Sequence, residues 1–234
     1  GDSGPNTITG NAGDDQLIGL GGDDMYIFAD GWGNDTLAEA DSLDNDTVDF
    51  SVVAGNLDIT LSSIFVTDST SGTCGVSANC LTHVSLGIDT FISGQGDDSF
   101  RINASLDIDL QGGPGDDEFI FADTQTLTGS IDGGADADNL DLSAYTSGWN
   151  ISLTGLGSAD GFAGTASSIS GGFDNLDNII GSSAATDALT GLDALATWSV
   201  SAASVQYSST NMLTISGFET LTGGDLEDVL TFAV

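Results

Sequence analysis

The sequence predicts an all-β fold built as a stack of short coils, a parallel β-solenoid, and three observations predict it. A nine-residue phrase rich in glycine and aspartate opens the chain as three contiguous copies, residues 1–9, 10–18 and 19–27. The eighth place of the phrase is Ile, Leu, Tyr, Val or Phe in every copy, so one side chain per phrase points inward. The segments between phrases alternate Thr, Ser, Ile and Leu with small residues, the period of a strand. No helix of ordinary length is expected. Residues 182–198 have the best helical composition, but Gly191 and a degraded phrase there favour a rung or loop.

Taken in order, the phrases are GDSGPNTIT, GNAGDDQLI and GLGGDDMYI, whose sixth places are Asn6, Asp15 and Asp24. DGWGNDTLA (30–38) carries Asp35 sixth, and DSLDNDTVD (41–49) carries Asp46. The phrase returns in SGQGDDSFR (93–101) with Asp98, GGPGDDEFI (112–120) with Asp117, GGADADNLD (133–141) with Asp138, and GGDLEDVLT (223–231) with Asp228. SSAATDALT (182–190) keeps Asp187 but has lost its glycines. Glycine supplies the positive φ and close backbone approach that tight turns demand. Crowded carboxylates repel by roughly 1 kcal/mol per pair even in water, so a positive partner is missing from the sequence.

Composition narrows that partner. The chain has 234 residues, 36 acids, one basic residue (Arg101) and a formal charge of −35. Only four acids are glutamates, and aspartate is the residue of turns and oxygen-ligand sites. Such a charge suggests disorder first, yet 39% of the residues are hydrophobic and recur on a strand-like beat. Nucleic acid and anionic membrane are excluded as partners, since both need Lys and Arg, and no apolar run is long enough to span a bilayer. Cations are favoured. Without an initiator Met or a signal-like start, the expectation is a mature, processed or excised piece. Cys74 and Cys80, in CGVSANC, are expected to form a disulfide in an oxidising, extracellular setting, against the alternative of two free thiols.

Two phrases make about 18 residues, one coil of two short strands and two turns, and coils stack about 4.8 Å apart. Stacking sets alternate turns in register, so Asp15 is expected beside the Asp35 turn and Asn6 beside that of Asp24. A column of carboxylates and turn carbonyls is an oxygen cage of the kind a hard divalent cation fills. The fifth-place acids Asp14, Asp23, Asp97 and Asp116 are expected to be solvated rather than direct ligands.

These residues resemble the GGxGxDxUx nonapeptide of RTX (repeats-in-toxin) proteins, strongly over 1–49 and well at 93–101, 112–120 and 223–231. The resemblance implies a right-handed parallel β-roll with several Ca²⁺ ions held between turns. The implied metal residues are Asn6, Asp15, Asp24, Asp35, Asp46, Asp98, Asp117, Asp138 and Asp228. Asn6 is neutral and Asp136 replaces a turn glycine, departures that weaken the match at those two copies. The 182–190 copy is expected to keep its coil and lose its ion.

A longer repeat lies between the phrases. NDTVDFSVVAGNLDITL (45–61) parallels ADNLDLSAYTSGWNISL (137–153). GIDTFISGQGDDSF (87–100), GFDNLDNIIG (172–181) and GFETLTGGDLEDVL (217–230) share Gly, a large apolar residue, Asp or Glu, then Thr or Asn. They read as wider rungs of a parallel β-helix, similar to those of very large secreted bacterial adhesin or surface proteins. The domain expectation is one continuous solenoid over 1–234, a β-roll to residue 50 passing into a wider β-helix, about a dozen coils in all. With repeat material at both ends, neighbouring repeats or end-to-end copies are the expected partners.

No catalysis is expected: a nucleophilic triad needs an oriented His, and His83, the lone candidate, reads as a surface imidazole. Arg101 is expected to pair with an aspartate, and Trp32, Trp149 and Trp198 to pack in core or edge rather than form a sugar platform. The functional expectation is a calcium-stabilised, secreted stalk, adhesin or matrix-fibre segment. The alternatives are an accessory module of a larger exported enzyme and a carbohydrate-binding face.

Overall fold

The computed structural model describes residues 1–39, 43–62, 64–68, 79–83 and 87–232. Among these the fold is all-β, with no helix. Five short strands open the chain: β1 (Thr7–Ile8), β2 (Gln16–Ile18), β3 (Met25–Ile27), β4 (Asn34–Ala38) and β5 (Thr47–Asp49). A first excursion follows, β6 (Asp58–Leu61), β7 (Ile64–Thr67) and β8 (Cys80–His83). Six more strands alternate: β9 (Thr90–Ile92), β10 (Ser99–Ile102), β11 (Asp109–Pro114), β12 (Glu118–Phe121), β13 (Ile131–Ala135) and β14 (Asn139–Asp141). A second excursion is β15 (Asn150–Leu156), β16 (Phe162–Ala166) and β17 (Ile169–Leu176), followed by β18 (Asn178–Ile180) and β19 (Ala188–Thr190). A third is β20 (Thr197–Val200), β21 (Val205–Ser208) and β22 (Met212–Ser216), before β23 (Thr220–Thr222) and β24 (Val229–Phe232).

Successive strands alternate between two sheets of 11 and 13 strands. Outside the excursions every ladder is parallel and in register, as in Tyr26↔Val48↔Phe91 of the first sheet and Phe100↔Phe119↔Leu140 of the second. Each nonapeptide contributes its short strand from places seven to nine, and its eighth-place residue is buried at Leu17, Tyr26, Leu37, Val48, Phe100, Phe119, Leu140 and Leu189. Leu230 departs from the pattern at 57% exposed, because β24 has only β20 as a neighbour. One hydrophobic cluster draws on both sheets. Register stacks like on like within it: Phe28 on Phe50 at 4.5 Å, Phe50 on Phe91 at 5.6 Å, and Phe100 on Phe119 at 4.8 Å between ring centroids. Those separations match the spacing of neighbouring strands.

The sheets are mixed, which corrects the expectation of parallel pairing throughout. In each excursion three consecutive strands run antiparallel within one sheet. The first strand pairs parallel with the rung that follows (β6 with β10, β15 with β19, β20 with β24), and the last with the rung before (β8 with β4, β17 with β13, β22 with β18). Short links drive reversals in the second and third excursions. Residues 167–168, 201–204 and 209–211 are all that join their strands, and links so short reverse the chain rather than carry it across. The segment 182–198, as expected, is rung and turn rather than helix.

Candidate metal centre

Five copies of the nonapeptide share one backbone grammar in their turns. Second-place residues Asn11, Leu20, Gly31, Gly113 and Gly134 and fourth-place residues Gly13, Gly22, Gly33, Gly115 and Asp136 all have positive φ, from 65° to 133°. In those copies that open on glycine, and in the 223–231 copy whose turn lacks the positive φ, the sixth-place carboxylate folds back under the first-place glycine. A Cβ at Gly19 would fall 2.1 Å from Asp24 Oδ2, at Gly112 2.2 Å from Asp117 Oδ2, at Gly133 2.4 Å from Asp138 Oδ2, and at Gly223 2.0 Å from Asp228 Oδ2. Carbonyls of the adjoining rung reach the same points: Gly133 O lies 2.4 Å from the Gly112 position and Asn175 O 2.3 Å from the Gly133 position. Each such hollow is lined by oxygen.

The sixth-place residues form hydrogen-bonded columns. Asn6 N–H donates to Asp24 Oδ1 (2.7 Å), Asp24 N–H to Asp46 Oδ1 (2.8 Å) and Asp46 N–H to Asp89 Oδ2 (2.9 Å). Asp15 N–H donates to Asp35 Oδ1 (2.9 Å), so both expected turn adjacencies are present. In the second sheet Leu57 N–H donates to Asp98 (2.6 Å), Asp98 to Asp117 (2.7 Å), Asp117 to Asp138 (2.9 Å) and Asp138 to Asp177 (3.4 Å). Trp149 N–H donates to Asp187 (2.6 Å) and Asp187 to Glu219 (3.0 Å), while Ala196 N–H donates to Asp228 (3.2 Å). Asp24, Asp35, Asp46, Asp98, Asp117 and Asp138 are buried; Asn6, Asp15 and Asp228 are half-buried.

Asp89, Asp177 and Glu219 end three of these columns, a role not read from the sequence. The signal was the Gly, apolar, acid, Thr or Asn pattern, taken there only as a strand cue. In its second copy the acting acid is Asp177, three residues beyond the aligned Asp174. The fifth-place acids are exposed, as expected, but they also cross-link rungs in the opposite sense. Asn34 N–H donates to Asp14 (3.2 Å), Asn45 N–H to Asp23 (2.9 Å), Asp116 N–H to Asp97 (3.1 Å) and Ala137 N–H to Asp116 (2.9 Å).

The columns consume one oxygen of each carboxylate. The other, Oδ2, is buried without a hydrogen-bond partner among the described residues at Asp24, Asp35, Asp117 and Asp138. At Asp35, Asp117 and Asp138 burial disfavours the ionised form and raises the pKa. Burial, aided by the charges of Asp98, Asp138 and Asp97 and opposed by the Asp98 N–H, pushes Asp117 up to about 9. Burial likewise pushes Asp138 up to about 8, and Asp46 and Asp177 to about 6. Oxygen-only donors, orphaned carboxylate oxygens and converging carbonyls fit a hard divalent cation. Such an ion would be held by these aspartates and would neutralise their repulsion.

Two copies solve the problem with protein atoms. Serine replaces the first-place glycine at Ser93 and Ser182. Ser182 Oγ lies 2.9 and 2.8 Å from the two oxygens of Asp187, and Ser182 N–H donates to Oδ2. The Ser93 hydroxyl donates to the Gly112 carbonyl at 2.5 Å and lies against Asp98, whose Oδ2 accepts from Gly94 N–H. Neither carboxylate has an orphaned oxygen among the described residues.

His83 is fully buried, which corrects its reading as a surface imidazole: it faces inward on β8 in register with Leu37, and its Nδ1 lies 3.0 Å from Leu37 O. Burial lowers its pKa. Arg101 pairs with Asp58 at 3.2 Å, and Trp32, Trp149 and Trp198 are buried. Cys80 opens β8 in a buried position, while Cys74 lies outside the described residues. Neither the models of known protein families nor the curated proteins compared with the sequence match it.

Proposed function

We propose that the chain is a calcium-stabilised extracellular β-solenoid of RTX type, right-handed and continuous over its length, serving as a stalk, adhesin or matrix-fibre segment of a bacterial surface. The observation that carries this reading is the set of sixth-place carboxylates stacked rung on rung, four of which (Asp24, Asp35, Asp117 and Asp138) hold one buried oxygen without a partner among the described residues. A chain of charge −35 with one basic side chain has no internal means of neutralising them. Calcium supplies that means, so folding and ion binding are one equilibrium. Extracellular modules of this kind bind at about 10⁻⁴ to 10⁻³ M, which ties the folded state to the calcium level outside a cell. No catalytic role is assigned. β24 leaves Val229, Leu230 and Phe232 exposed, an apolar edge that a further rung, from neighbouring repeats or a second copy, would cover. A sugar platform loses support, because the three tryptophans it needs are buried.

The test is circular dichroism of metal-stripped protein titrated with Ca²⁺. A large gain in β signal at millimolar Ca²⁺ is expected; an unchanged β spectrum after thorough chelation refutes the proposal.

A further inference from the structure

One acidic cluster joins two sixth-place aspartates of the nonapeptide to a glutamate from outside the pattern. Glu39 follows β4 in the second sheet, whereas Asp24 and Asp46 stand at consecutive turns before β3 and β5 of the first. All three are buried, at 2%, 1% and 1% exposure, and one carboxylate oxygen from each lies within 4.8 Å of the others. The Tyr26 hydroxyl donates to Glu39 Oε2 at 2.5 Å, which fixes the glutamate's orientation. The hollow beside Gly19 is where they meet: a Cβ there would lie 2.1 Å from Asp24 Oδ2, 2.3 Å from the Tyr26 hydroxyl and 2.4 Å from Glu39 Oε2. Asp24 Oδ2 faces that hollow with no hydrogen-bond partner among the described residues.

The hollows beside Gly112 and Gly133 are each lined by one aspartate of the phrase and a carbonyl from the adjoining rung. Here a glutamate from the opposite sheet adds another carboxylate, and the column bonds from Asn6 and Asp24 N–H engage only the Oδ1 atoms of Asp24 and Asp46. The three atoms nearest the hollow are all oxygen, and the cluster brings three carboxylates; the buried imidazole of His83 also interacts with Glu39, and burial disfavours its charged form. We infer that Glu39 joins the sixth-place Asp24 and Asp46 as an added ligand at their turn, making an interior site for a hard divalent cation of the Ca²⁺ class, with Tyr26 positioning Glu39. The inference rests on and deepens the calcium reading above, adding a ligand that the repeated phrase does not encode and joining the two sheets through one ion.

Bound Ca²⁺ is counted by equilibrium dialysis for the wild type, Glu39→Gln and, as a control, Glu118→Gln, whose carboxylate serves Asn139 on a distant strand. Glu39→Gln is expected to bind one ion fewer, and Glu118→Gln the full number. An undiminished count at unchanged affinity in Glu39→Gln overturns the inference while leaving the turn columns intact. A wild type that binds a single ion, lost in Glu39→Gln, supports this site and refutes the repeating-turn reading; no binding at all refutes both. Should Glu39→Gln fail to fold even in excess Ca²⁺, Glu39→Asp is read instead. That variant keeps the charge but withdraws its oxygens by one methylene, and one ion should weaken at least tenfold. Retention of every ion at wild-type affinity in Glu39→Asp likewise overturns the site.

Discussion

Metal-free protein should fold better in acid than at neutral pH, the reverse of ordinary acid denaturation. The perturbation is to raise the pH from 4 to 7 without divalent ions. Asp117 and Asp138 ionise in the unfolded chain near 3.8 but in the folded chain only at about 9 and about 8, chiefly because they are buried. A raised folded pKa means that the stabilisation is fully present below the unfolded value and is lost as pH rises toward the folded one. Across three pH units at about 1.4 kcal/mol each, either residue alone costs ~4 kcal/mol. The two repel each other through consecutive rungs, so keeping one proton relieves part of the demand for the second. A combined loss of ~5–6 kcal/mol is a fair figure, close to the whole net stability of an ordinary domain, ~5–15 kcal/mol. Asp46 and Asp177, pushed up to about 6, act in the same direction. The assay is denaturant unfolding followed by circular dichroism in metal-stripped buffer at both pH values, repeated with Ca²⁺. The expected result is a folded chain at pH 4, a largely unfolded one at pH 7, and rescue at pH 7 by Ca²⁺. Equal or greater metal-free stability at pH 7 would refute the argument, for it would mean that the buried carboxylates ionise without penalty. Asp117→Asn separates the terms: it should stabilise the metal-free chain at pH 7 and weaken the Ca²⁺-loaded one.

Leu20 holds φ 88° at a second place where other copies carry glycine, and it is 58% exposed. Relief of ~1–2 kcal/mol of left-handed strain, less the added freedom of the unfolded glycine, should make Leu20→Gly more stable by ~0.5–1 kcal/mol, read as a rise in Tm of about 2–4 °C per kcal/mol. Ser182→Ala removes the hydroxyl beside both oxygens of Asp187 and should cost ~1–3 kcal/mol in chemical denaturation. Ser93 serves Asp98 and Gly112 in the same way, and Phe50 joins three stacked or edge-on rings, Phe28, Trp32 and Phe91; Phe50→Ala should cost ~3–5 kcal/mol in the same measurement.

Much of this was legible because nine-residue periodicity is a local property. The placement of Gly19 under Asp24, of Leu17 or Phe119 in the core, and of Asp15 against Asp35 follows from one phrase and a rung spacing. The excursions were not read, since a rung of the parallel kind and the first strand of an antiparallel trio have the same alternating pattern. What distinguishes them is the link that follows, five residues at 157–161 or four at 201–204, and links carry little hydrophobic signal. Glu39 was missed for another reason. It lies outside every phrase, and only the approach of the two sheets brings it to Asp24 and Asp46. His83 was misplaced because a lone imidazole in a polar segment carries no periodic clue to the inward face it occupies.

The excursions and the acid columns explain each other. Each of three columns closes in the same way: the final acid accepts from the preceding column N–H and returns its own N–H to that residue's carbonyl, Asp89 to Asp46 O (2.9 Å), Asp177 to Asp138 O (3.0 Å) and Glu219 to Asp187 O (3.2 Å). Each closing acid follows the last strand of an excursion. Three columns also open just before an excursion's first strand, on the N–H of a residue with no carboxylate: Leu57, Trp149 and Ala196. The column ending at Asp89 borders the first sheet, that from Leu57 to Asp177 the second, that from Trp149 to Glu219 the first again, and the last the second. Carboxylate repulsion accumulates with every rung added to a column, and it is greatest for interior members such as Asp117, which has an acid on either side. An excursion ends the column on one flank and starts the next on the other, so no run exceeds the four acids Asp98, Asp117, Asp138 and Asp177. That alternation accounts for why the matching segments 45–61 and 137–153 enter opposite sheets: the repeat marks the change of flank and not the rung.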